Sequence, residues 1–413
     1  MKDNKAVKSI LKYFDIKNGS LLIGGKTCGE IAEQTGTPFY AYDLGVAEKK
    51  YKILQKALPS EIKIHYAIKA NPHQEIISFF NKYVDGFDVA SLGELKKAIR
   101  AGADPSTIGF AGPGKQKEEI KAACLAGIGS LNAESITELK RADKIAGSLN
   151  KKISVSLRVN PAYELVGSGM RMGGGPKQFG IDQEKIPKVL EMFSKWKNLE
   201  FRGFHIFAGS QNLNTDSISS SFEKAIETVI SFLPYCPEPP SMINLGGGFG
   251  IPYYKNDTEL DIQTVGDRLS SCIANSKHKL EHTEFIVETG RYLVGECGIY
   301  VSKIIDIKES RGETFVIIDG GMHHHLAASG NFGQVIKRNF PIILADYMDE
   351  QPIKAVNIAG PLCTPLDKFA TRLMAPETRI NDFVAVLVSG AYGYSASPLG
   401  FLGHTEPVEH IIK

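Results

Sequence analysis

The chain has no excess of charge of either sign. Its 413 residues include 48 Lys plus Arg against 46 Asp plus Glu, which gives a formal net charge of +2. Proteins that bind nucleic acid or anionic membrane surfaces need a basic excess for their affinity. The near balance therefore argues against a nucleic-acid or membrane-surface partner.

Long apolar runs are also missing. No run approaches the roughly 20 residues that a membrane-spanning helix needs. The first 19 residues, MKDNKAVKSILKYFDIKNG, have no apolar signal core. The sequence therefore predicts no membrane association and a cytoplasmic location.

Cysteines are few and scattered, and no Cys-x-x-Cys pair occurs. The six cysteines are Cys28, Cys124, Cys236, Cys272, Cys297 and Cys363. This spacing favours reduced thiols over a disulfide framework or a zinc site.

Residues 36–290 contain a regular alternation of short β-rich runs and charge-rich helical runs. Eight strands are predicted: IKIHYAIK (62–69), GFDVAS (86–91), TIGFAG (107–112), IGSLNA (128–133), ISVSLRVN (153–160), FRGFHIF (201–207), MINLGGG (242–248) and EFIVETG (284–290). A doubly wound sheet is the rival architecture. Eight successive β/α units favour closure into a parallel (β/α)8 TIM barrel.

Residues 291–413 have a different pattern, with β-branched or alternating runs and little helix between them. The clearest runs are GIYVSKIIDIKES, ETFVIID, KAVNIAG, DFVAVLVSG and PVEHIIK. They predict a second, mostly antiparallel β domain. Residues 1–35 contain one strand candidate, LLIGG, and we expect them to pack on this domain. The glycine-rich stretch 166–180 predicts a long functional loop.

Chemically distinctive residues fall at the predicted strand ends. In a (β/α)8 barrel the active site lies at the C-terminal ends of the strands. The residues there are Lys69, Asp88, Arg158, His205, Gly246, Gly247, Gly248, Glu288 and Arg291. One such residue would mean little, but several together predict a single site.

Lys69 ends the first predicted strand. A solvated lysine at a strand end is the ordinary interpretation. In a partly dry barrel mouth, however, the pKa of a lysine falls, and the amine can attack a carbonyl to form an imine.

Three further features each allow two interpretations. Gly246–Gly248 form either an ordinary tight turn or a phosphate cradle of unobstructed backbone N–H groups. Glu288 either pairs with Arg291 or pairs with the protonated ring nitrogen of a pyridoxal cofactor. His205 is either a satisfied core histidine or a residue that stacks on that ring.

The combination of these motifs resembles a known family. Lys69, His205, Gly246–Gly248 and ETGR (288–291) carry the resemblance, together with GPLCTPLD (360–367) and GAYGYS (390–395). The sequence resembles the pyridoxal phosphate-dependent decarboxylases of fold type III, which act on diaminopimelate, ornithine or arginine. The resemblance implies an alanine racemase-like barrel over 36–290. It also implies a β domain of 1–35 plus 291–413 and a homodimer with shared active sites.

The resemblance also implies roles for individual residues, with pyridoxal 5'-phosphate as the cofactor and Lys69 as its Schiff-base lysine. The other cofactor-binding residues would be Asp88, Arg158, His205, Ser210, Gly246, Gly247, Gly248, Glu288, Gly290, Arg291 and Tyr392, with Glu94 supporting the pocket. Lys69, His205 and Glu288 would take part in catalysis. Cys363 would come from the partner subunit and return a proton to Cα after CO2 leaves.

Three segments depart from the family pattern. His205-Ile-Phe-Ala-Gly-Ser210-Gln211 has two more residues than the usual H-I-G-S-Q, which alters the phosphate loop around Ser210. Thr364 and Pro365 follow Cys363, where the family has an acidic residue for the distal ammonium of the substrate. GMHHHLAASGNFGQ (321–334) stands where the diaminopimelate enzymes continue Gly-Met with a segment that binds the distal carboxylate of the substrate. A distal ammonium without an ionic partner would cost several kcal/mol to desolvate.

In these segments the chain resembles the decarboxylases of a branch of secondary metabolism, as in the butirosin pathway. Those enzymes act on glutamate held as a thioester on an acyl carrier protein. A carrier-bound acyl group has no distal charge and needs no acidic partner. His323, His324 and Thr364 are the candidates for substrate contact. A metal site at His323–His325 is disfavoured, because adjacent ligands in one loop have poor geometry.

The main hypothesis is therefore decarboxylation of an L-amino acid or of an aminoacyl group on a carrier protein. Diaminopimelate decarboxylation in lysine biosynthesis is one alternative. An amino-acid racemase and a non-catalytic pyridoxal phosphate-binding protein are the others. Glu288 argues against a racemase, because racemases of this type place an arginine at the ring nitrogen.

Overall fold

A computed structural model describes residues 4–165, 167, 169–334 and 337–413. They form two compact units. The barrel unit contains Tyr51–Gly250 and Leu260–Gly290, and the β unit contains the residues up to Lys50, Ile251–Glu259 and Arg291–Lys413. Val166 and Ser168, in the predicted loop 166–180, lie outside the described residues. The division at residues 36 and 290 stays a prediction.

Eight parallel strands close the barrel, as the sequence predicts. In chain order they are Ile62–Ala67, Gly86–Val89, Ile108–Phe110, Ser130–Ala133, Ile153–Asn160, Leu199–Ile206, Met242–Asn244 and Glu284–Thr289. Each pairs in parallel with the next. The eighth strand pairs with the first, with Glu288 opposite His65, so the sheet is closed. The carboxyl ends of all eight strands therefore meet at one rim.

Helices separate the strands of the barrel unit. The α-helices are Gln74–Phe80, Leu92–Arg100, Lys117–Ala126, Ile136–Ser148, Ile186–Glu191, Thr215–Phe232 and Ile262–Ser276. Single 3-10 turns lie at Ile68–Ala70, Pro105–Thr107, Gln183–Lys185, Phe193–Lys195 and Leu233–Tyr235. Short strands at Met170–Arg171, Ile181–Asp182 and Gly209–Ser210 belong to the connecting segments. Ser91 begins the helix after the second strand, and its side chain accepts from the Glu94 N–H.

The β unit is built on an eight-stranded sheet that is mostly antiparallel. Its strands are Phe39–Asp43, Gly298–Ser310, Glu313–Ile318, Ile342–Leu344, Lys354–Ala359, Lys368–Ala375, Phe383–Val386 and Val408–Ile412. Phe39–Asp43 pairs antiparallel with the long strand Gly298–Ser310 and parallel with Val408–Ile412. Both chain ends therefore contribute to this unit.

The N-terminal part of the chain adds a small three-stranded sheet and short helices. Asp15–Lys17, Ser20–Ile23 and Lys26–Thr27 are its strands. The α-helices of this part are Lys5–Leu11, Cys28–Thr35 and Leu44–Ala57. Later in the chain, the helix Arg291–Val294 and a 3-10 turn at Phe401–Gly403 belong to the β unit. Within the described residues, no helix is long and apolar enough to cross a membrane.

The inside of the barrel is unusually polar for a protein core. Arg158, His205, Asn132, Asn244 and Glu288 are all buried. Buried charged and amide groups are expensive unless they have partners, so their partners are informative about function.

Candidate active site

Lys69 lies just beyond the first barrel strand. The strand ends at Ala67, and Lys69 sits in the single 3-10 turn Ile68–Ala70 rather than on the strand itself. The ladder stops there because Ala67 makes the last pair with the second strand, opposite Asp88. The side chain of Lys69 is 39% exposed, and its Nζ is 3.4 Å from Oδ2 of Asp88. The amine thus sits at the carboxyl rim of the barrel.

Asp88 is a buried carboxyl group, only 1% exposed. Burial raises its pKa to about 8, the negative charge of Glu288 adds to the rise, and the Lys69 ammonium opposes it. Glu94 lies in the helix that follows, and its Oε2 accepts a hydrogen bond of 2.7 Å from the Ala90 N–H. Glu94 therefore braces the turn after the strand that carries Asp88.

Glu288 and His205 meet inside the barrel. Oε1 of Glu288 is 3.2 Å from Nε2 of His205, close enough for an ion pair when the imidazole is protonated, although the two groups are not aligned as a hydrogen bond. Burial alone would raise the pKa of Glu288. Attraction to His205 and Lys69, with a hydrogen bond from Asn244, lowers it to about 2. Glu288 is therefore an anion kept inside a low-dielectric site.

Asn244 is a site residue that the sequence analysis missed. Its Nδ2 donates to Oε1 of Glu288 at 2.6 Å, and its Oδ1 accepts from the Gly246 N–H at 2.9 Å. Asn244 ends the seventh strand, two residues before the first glycine of the run, Gly246. A buried amide at that place was the only available signal, and it gives no hint of a partner 44 residues away.

The glycines after the seventh strand form a turn that other residues could not adopt. Gly246 has φ +68° and Gly248 has φ +93°, both in the left-handed region. A Cβ on Gly247 would lie 1.8 Å from the carbonyl oxygen of Glu288. The backbone therefore approaches the eighth strand closely, with no side chain to cover it, as a phosphate cradle requires.

Arg158 is held in an ion pair on the inner wall of the barrel. Its Nη1 lies 2.7 Å from Oε1 of Glu134. Glu134 also accepts from the backbone N–H groups of Gly112 and Gly180. Burial raises the pKa of Glu134, but these contacts outweigh burial, so the net effect is a lowered pKa. The guanidinium also lies over the Phe179 ring, at 4.9 Å.

The segment around Ser210 differs from an ordinary strand-to-helix loop. Gly209–Ser210 pairs antiparallel with Met170–Arg171, and the two extra residues, Phe207 and Ala208, directly precede this short ribbon. One of them, Phe207, places its ring 5.4 Å from Nζ of Lys69. The sequence analysis noted the insertion but did not predict this contact. Gly290 follows the eighth strand, where a Cβ would lie 2.7 Å from the Cβ of Ala70.

Two residues expected at the phosphate lie together in the β unit. Nη1 of Arg291 donates to the Tyr253 hydroxyl at 2.7 Å. The guanidinium also lies over the Tyr392 ring, 4.6 Å from its centroid. Tyr392 has φ +55°. The geometry within this unit therefore groups Arg291 and Tyr392.

Cys363 is an exposed free thiol in the loop that follows the strand Lys354–Ala359. The loop is held from inside by Asp367, which is only 2% exposed. Its carboxylate oxygens accept from the N–H groups of Met322 and Leu362, at 2.6 and 2.9 Å. The Thr364 hydroxyl accepts from Leu366 N–H within the turn. Asp367 thus ties the Cys363 loop to the segment that carries the histidine run.

The histidine run is buried within the β unit. His324 donates from Nε2 to the Thr405 carbonyl at 3.0 Å, and its Nδ1 faces the Tyr300 hydroxyl. His323 is 0% exposed, and neither ring nitrogen has a hydrogen-bond partner among the described residues. Burial lowers its pKa to about 3, so its ring is neutral. Among the described residues, no three His, Cys, Asp or Glu side chains are placed so that they could hold one metal ion. Substrate contact by His323 or His324 stays a prediction.

The barrel residues fit pyridoxal phosphate. Oδ1 of Asp88 and Nδ1 of His205 are buried without a hydrogen-bond partner in the described part of the chain. The glycine turn leaves room where any Cβ would collide. The Glu288 anion suits a protonated ring nitrogen, and Lys69 provides an amine at the rim.

Comparison with known proteins agrees with this fit. Residues 44–295 match the family model described as the pyridoxal binding domain of pyridoxal-dependent decarboxylases. The chain belongs to this family, in the fold type III class with an alanine racemase-like barrel. It is a carboxy-lyase that uses pyridoxal 5'-phosphate. The family assignment favours a decarboxylase over the racemase and the non-catalytic alternatives.

Three similar proteins illustrate the range of substrates. L-Glutamyl-[BtrI acyl-carrier protein] decarboxylase of Niallia circulans is 38% identical over 377 residues, which cover 90% of this chain and 88% of the relative. Diaminopimelate decarboxylase of Aquifex aeolicus is 31% identical over 399 residues, covering 95% and 90%. The crystal structure of diaminopimelate decarboxylase from M. jannaschi superposes with a TM-score of 0.87 at 28% identity, covering 97% and 92%.

Proposed function

We propose that the enzyme decarboxylates an L-aminoacyl group whose side-chain carboxyl is held as a thioester on an acyl carrier protein. The similarity to the Niallia circulans enzyme supports this substrate class. Diaminopimelate is the second candidate, because the chain is also similar to diaminopimelate decarboxylases.

The observation that carries the proposal is that both carboxylate oxygens of Asp367 already have hydrogen-bond donors. In the Cys363 loop, residues 360–367, Asp367 is the only acidic side chain. It is buried, and each of its oxygens already accepts a backbone N–H. A distal ammonium on the substrate would therefore find no carboxylate in this loop. An ammonium desolvated without an ionic partner is strongly disfavoured, whereas a thioester has no charge to compensate.

Each barrel residue has a definite task in the proposed reaction. Pyridoxal phosphate, when bound, supplies the electron sink for the pair left on Cα when CO2 departs. Lys69 would hold the cofactor through its amine, and Glu288 would hold a proton at the ring nitrogen. His205 would stack on the ring. The glycine turn, with Ser210, Gly290, Arg291 and the Tyr392 hydroxyl, would bind the phosphate.

The remaining residues would complete and position this site. Asp88 would lie beside the imine nitrogen, Glu94 would brace the turn behind it, and Arg158 would lie beneath the cofactor. We further propose a homodimer, in which the partner subunit supplies Cys363 to return a proton to Cα. An exposed thiol on a loop anchored by Asp367 is consistent with such a role.

We also propose a cytoplasmic location, since all six cysteines are free thiols.

The decisive experiment measures CO2 release by the purified enzyme with pyridoxal phosphate. The panel contains L-glutamate, meso-diaminopimelate, L-ornithine, a γ-glutamyl pantetheine thioester and the same glutamyl group on an acyl carrier protein. We expect the thioesters to be turned over and the free diamino acids to react poorly. Faster turnover of meso-diaminopimelate than of either thioester would replace the proposal with the second candidate.

A further inference from the structure

We propose that Asn244 is a positioning residue that joins the two ends of the cofactor site, the ring-nitrogen partner Glu288 and the glycine turn that begins at Gly246. The inference rests on the proposed roles of these two groups. It does not depend on the substrate, so its test is independent of which amino acid is decarboxylated.

Glu288 is the first of the two groups that Asn244 holds. This buried carboxylate is an anion, and an amide N–H is a neutral donor that stabilises the anion without bringing another charge. The bond from Nδ2 of Asn244 is 2.6 Å long. It fixes one carboxylate oxygen, so the rotation of Glu288 about its last bond is limited.

The glycine turn is the second group that Asn244 holds. The other end of the same amide accepts the Gly246 N–H at 2.9 Å, while the Gly246 carbonyl accepts the Glu288 N–H at 2.7 Å. Gly246 is thus bonded once through its N–H to the Asn244 side chain and once through its carbonyl to the Glu288 backbone. This closed set of three hydrogen bonds sets the distance between the turn and the carboxylate. The buried amide of Asn244 uses its NH2 group in one of these bonds and its carbonyl oxygen in another. The bonded groups therefore have little freedom to move relative to one another.

Two substitutions at Asn244 test its link to Glu288 and its link to the glycine turn separately. Asn244→Asp keeps an oxygen that can accept the Gly246 N–H, but it places a second carboxyl group against Glu288. Two carboxylates at such a distance cannot both ionise easily, so the pair retains one proton. Asn244→Leu keeps the branching of the side chain and loses both hydrogen bonds. Asn132→Asp and Asn132→Leu are matched controls, because Asn132 is equally buried in the barrel and bonds to the Ser130 hydroxyl instead.

The first measurement uses inorganic phosphate as a probe of the turn. Full-length protein is freed of cofactor by treatment with hydroxylamine followed by dialysis, and phosphate is titrated as a competitor of pyridoxal phosphate binding. We expect Asn244→Leu to weaken the competition about 5-fold or more, the effect of one lost hydrogen bond. Asn244→Asp and Glu288→Gln should leave it close to the wild-type value. Unchanged phosphate competition in Asn244→Leu would overturn the link to the turn.

The second measurement is the affinity for pyridoxal phosphate between pH 5 and pH 9. The groups that face Glu288 are His205, Asp88, Lys69 and His65, and all four are the same in every variant. The difference between Asn244→Asp and wild type should therefore show one additional proton step. The step should be missing from Asn132→Asp. A residue with only a structural role would lower the melting temperature without adding a step, and that result would overturn the link to Glu288.

Discussion

The ammonium of Lys69 lies 3.4 Å from Oδ2 of Asp88, a carboxyl group that is almost fully buried. Asp88 lies on the second barrel strand, and Lys69 lies in the turn that follows the first, two residues beyond the last pair of the ladder, Ala67 and Asp88. The end of the ladder thus brings the amine and the carboxyl group together at the rim. This pair is the most direct place to test the site.

Lys69→Ala should abolish CO2 release and the absorbance of the lysine-bound cofactor. The amine is the group that would hold the cofactor covalently, and loss of such a nucleophile typically costs about 10³-fold or more in rate. Absorbance spectra and a CO2 assay check both effects. Lys63→Ala is the control, because Lys63 lies on the strand that leads to Lys69 and pairs with Asp85 at the surface. Full turnover by Lys69→Ala would show that the amine has no catalytic role.

Asp88 gives a prediction about pH. Burial raises its pKa to about 8 in the folded chain. Between the unfolded pKa of about 4 and this value, the folded state holds a proton that the unfolded state releases. Stability therefore falls as pH rises through this window. The loss is at most about 1.4 kcal/mol per pH unit.

Asp88→Asn should remove that fall, because the amide does not titrate. Urea unfolding of the cofactor-free protein between pH 5 and pH 8 measures the difference between the variant and wild type. Parallel stability curves for wild type and Asp88→Asn would mean that Asp88 is already ionised throughout.

The eight barrel strands could be predicted because each β/α unit is a local pattern, and closure follows from their number. The end of the first strand was placed two residues late, since the strand stops where its neighbours stop pairing. FYAYD (39–43) pairs with a strand some 250 residues later, which its own sequence does not indicate. The contact of Asn244 with Glu288 depends in the same way on the register of two strands. Long-range pairing is what a single sequence shows least.

The shared active site can be tested by mixing inactive subunits. Cys363→Ala should slow turnover by about 10²-fold, as expected for a lost general acid. If Cys363 acts across the dimer, a mixture of Lys69→Ala and Cys363→Ala subunits forms heterodimers with one intact site. After random exchange the mixture should recover up to about a quarter of wild-type activity, since half of the dimers carry one of two sites. Size-exclusion chromatography gives the oligomeric state of each variant and of the mixture. If the mixture is no more active than its components, each active site is built from a single subunit.

Thr364→Glu should change the substrate preference. The substitution places a carboxylate on the half-buried residue next to Cys363, in a loop whose own acidic residue, Asp367, is already committed to two backbone N–H groups. A new anion there can pair with a distal ammonium and offset part of its desolvation cost. The ratio of kcat/KM for meso-diaminopimelate to that for the γ-glutamyl thioester should rise about 10-fold or more, which corresponds to roughly 1.4 kcal/mol.

Thr364→Gln is the matched control, because it has the same shape without the charge and should leave the ratio near the wild-type value. Thr364→Glu should also leave the affinity for pyridoxal phosphate unchanged, since no cofactor contact is proposed for this residue. An equal loss of activity toward both substrates would mean that the loop does not face the distal end of the substrate. The absence of an acidic residue after Cys363 would then say nothing about substrate charge.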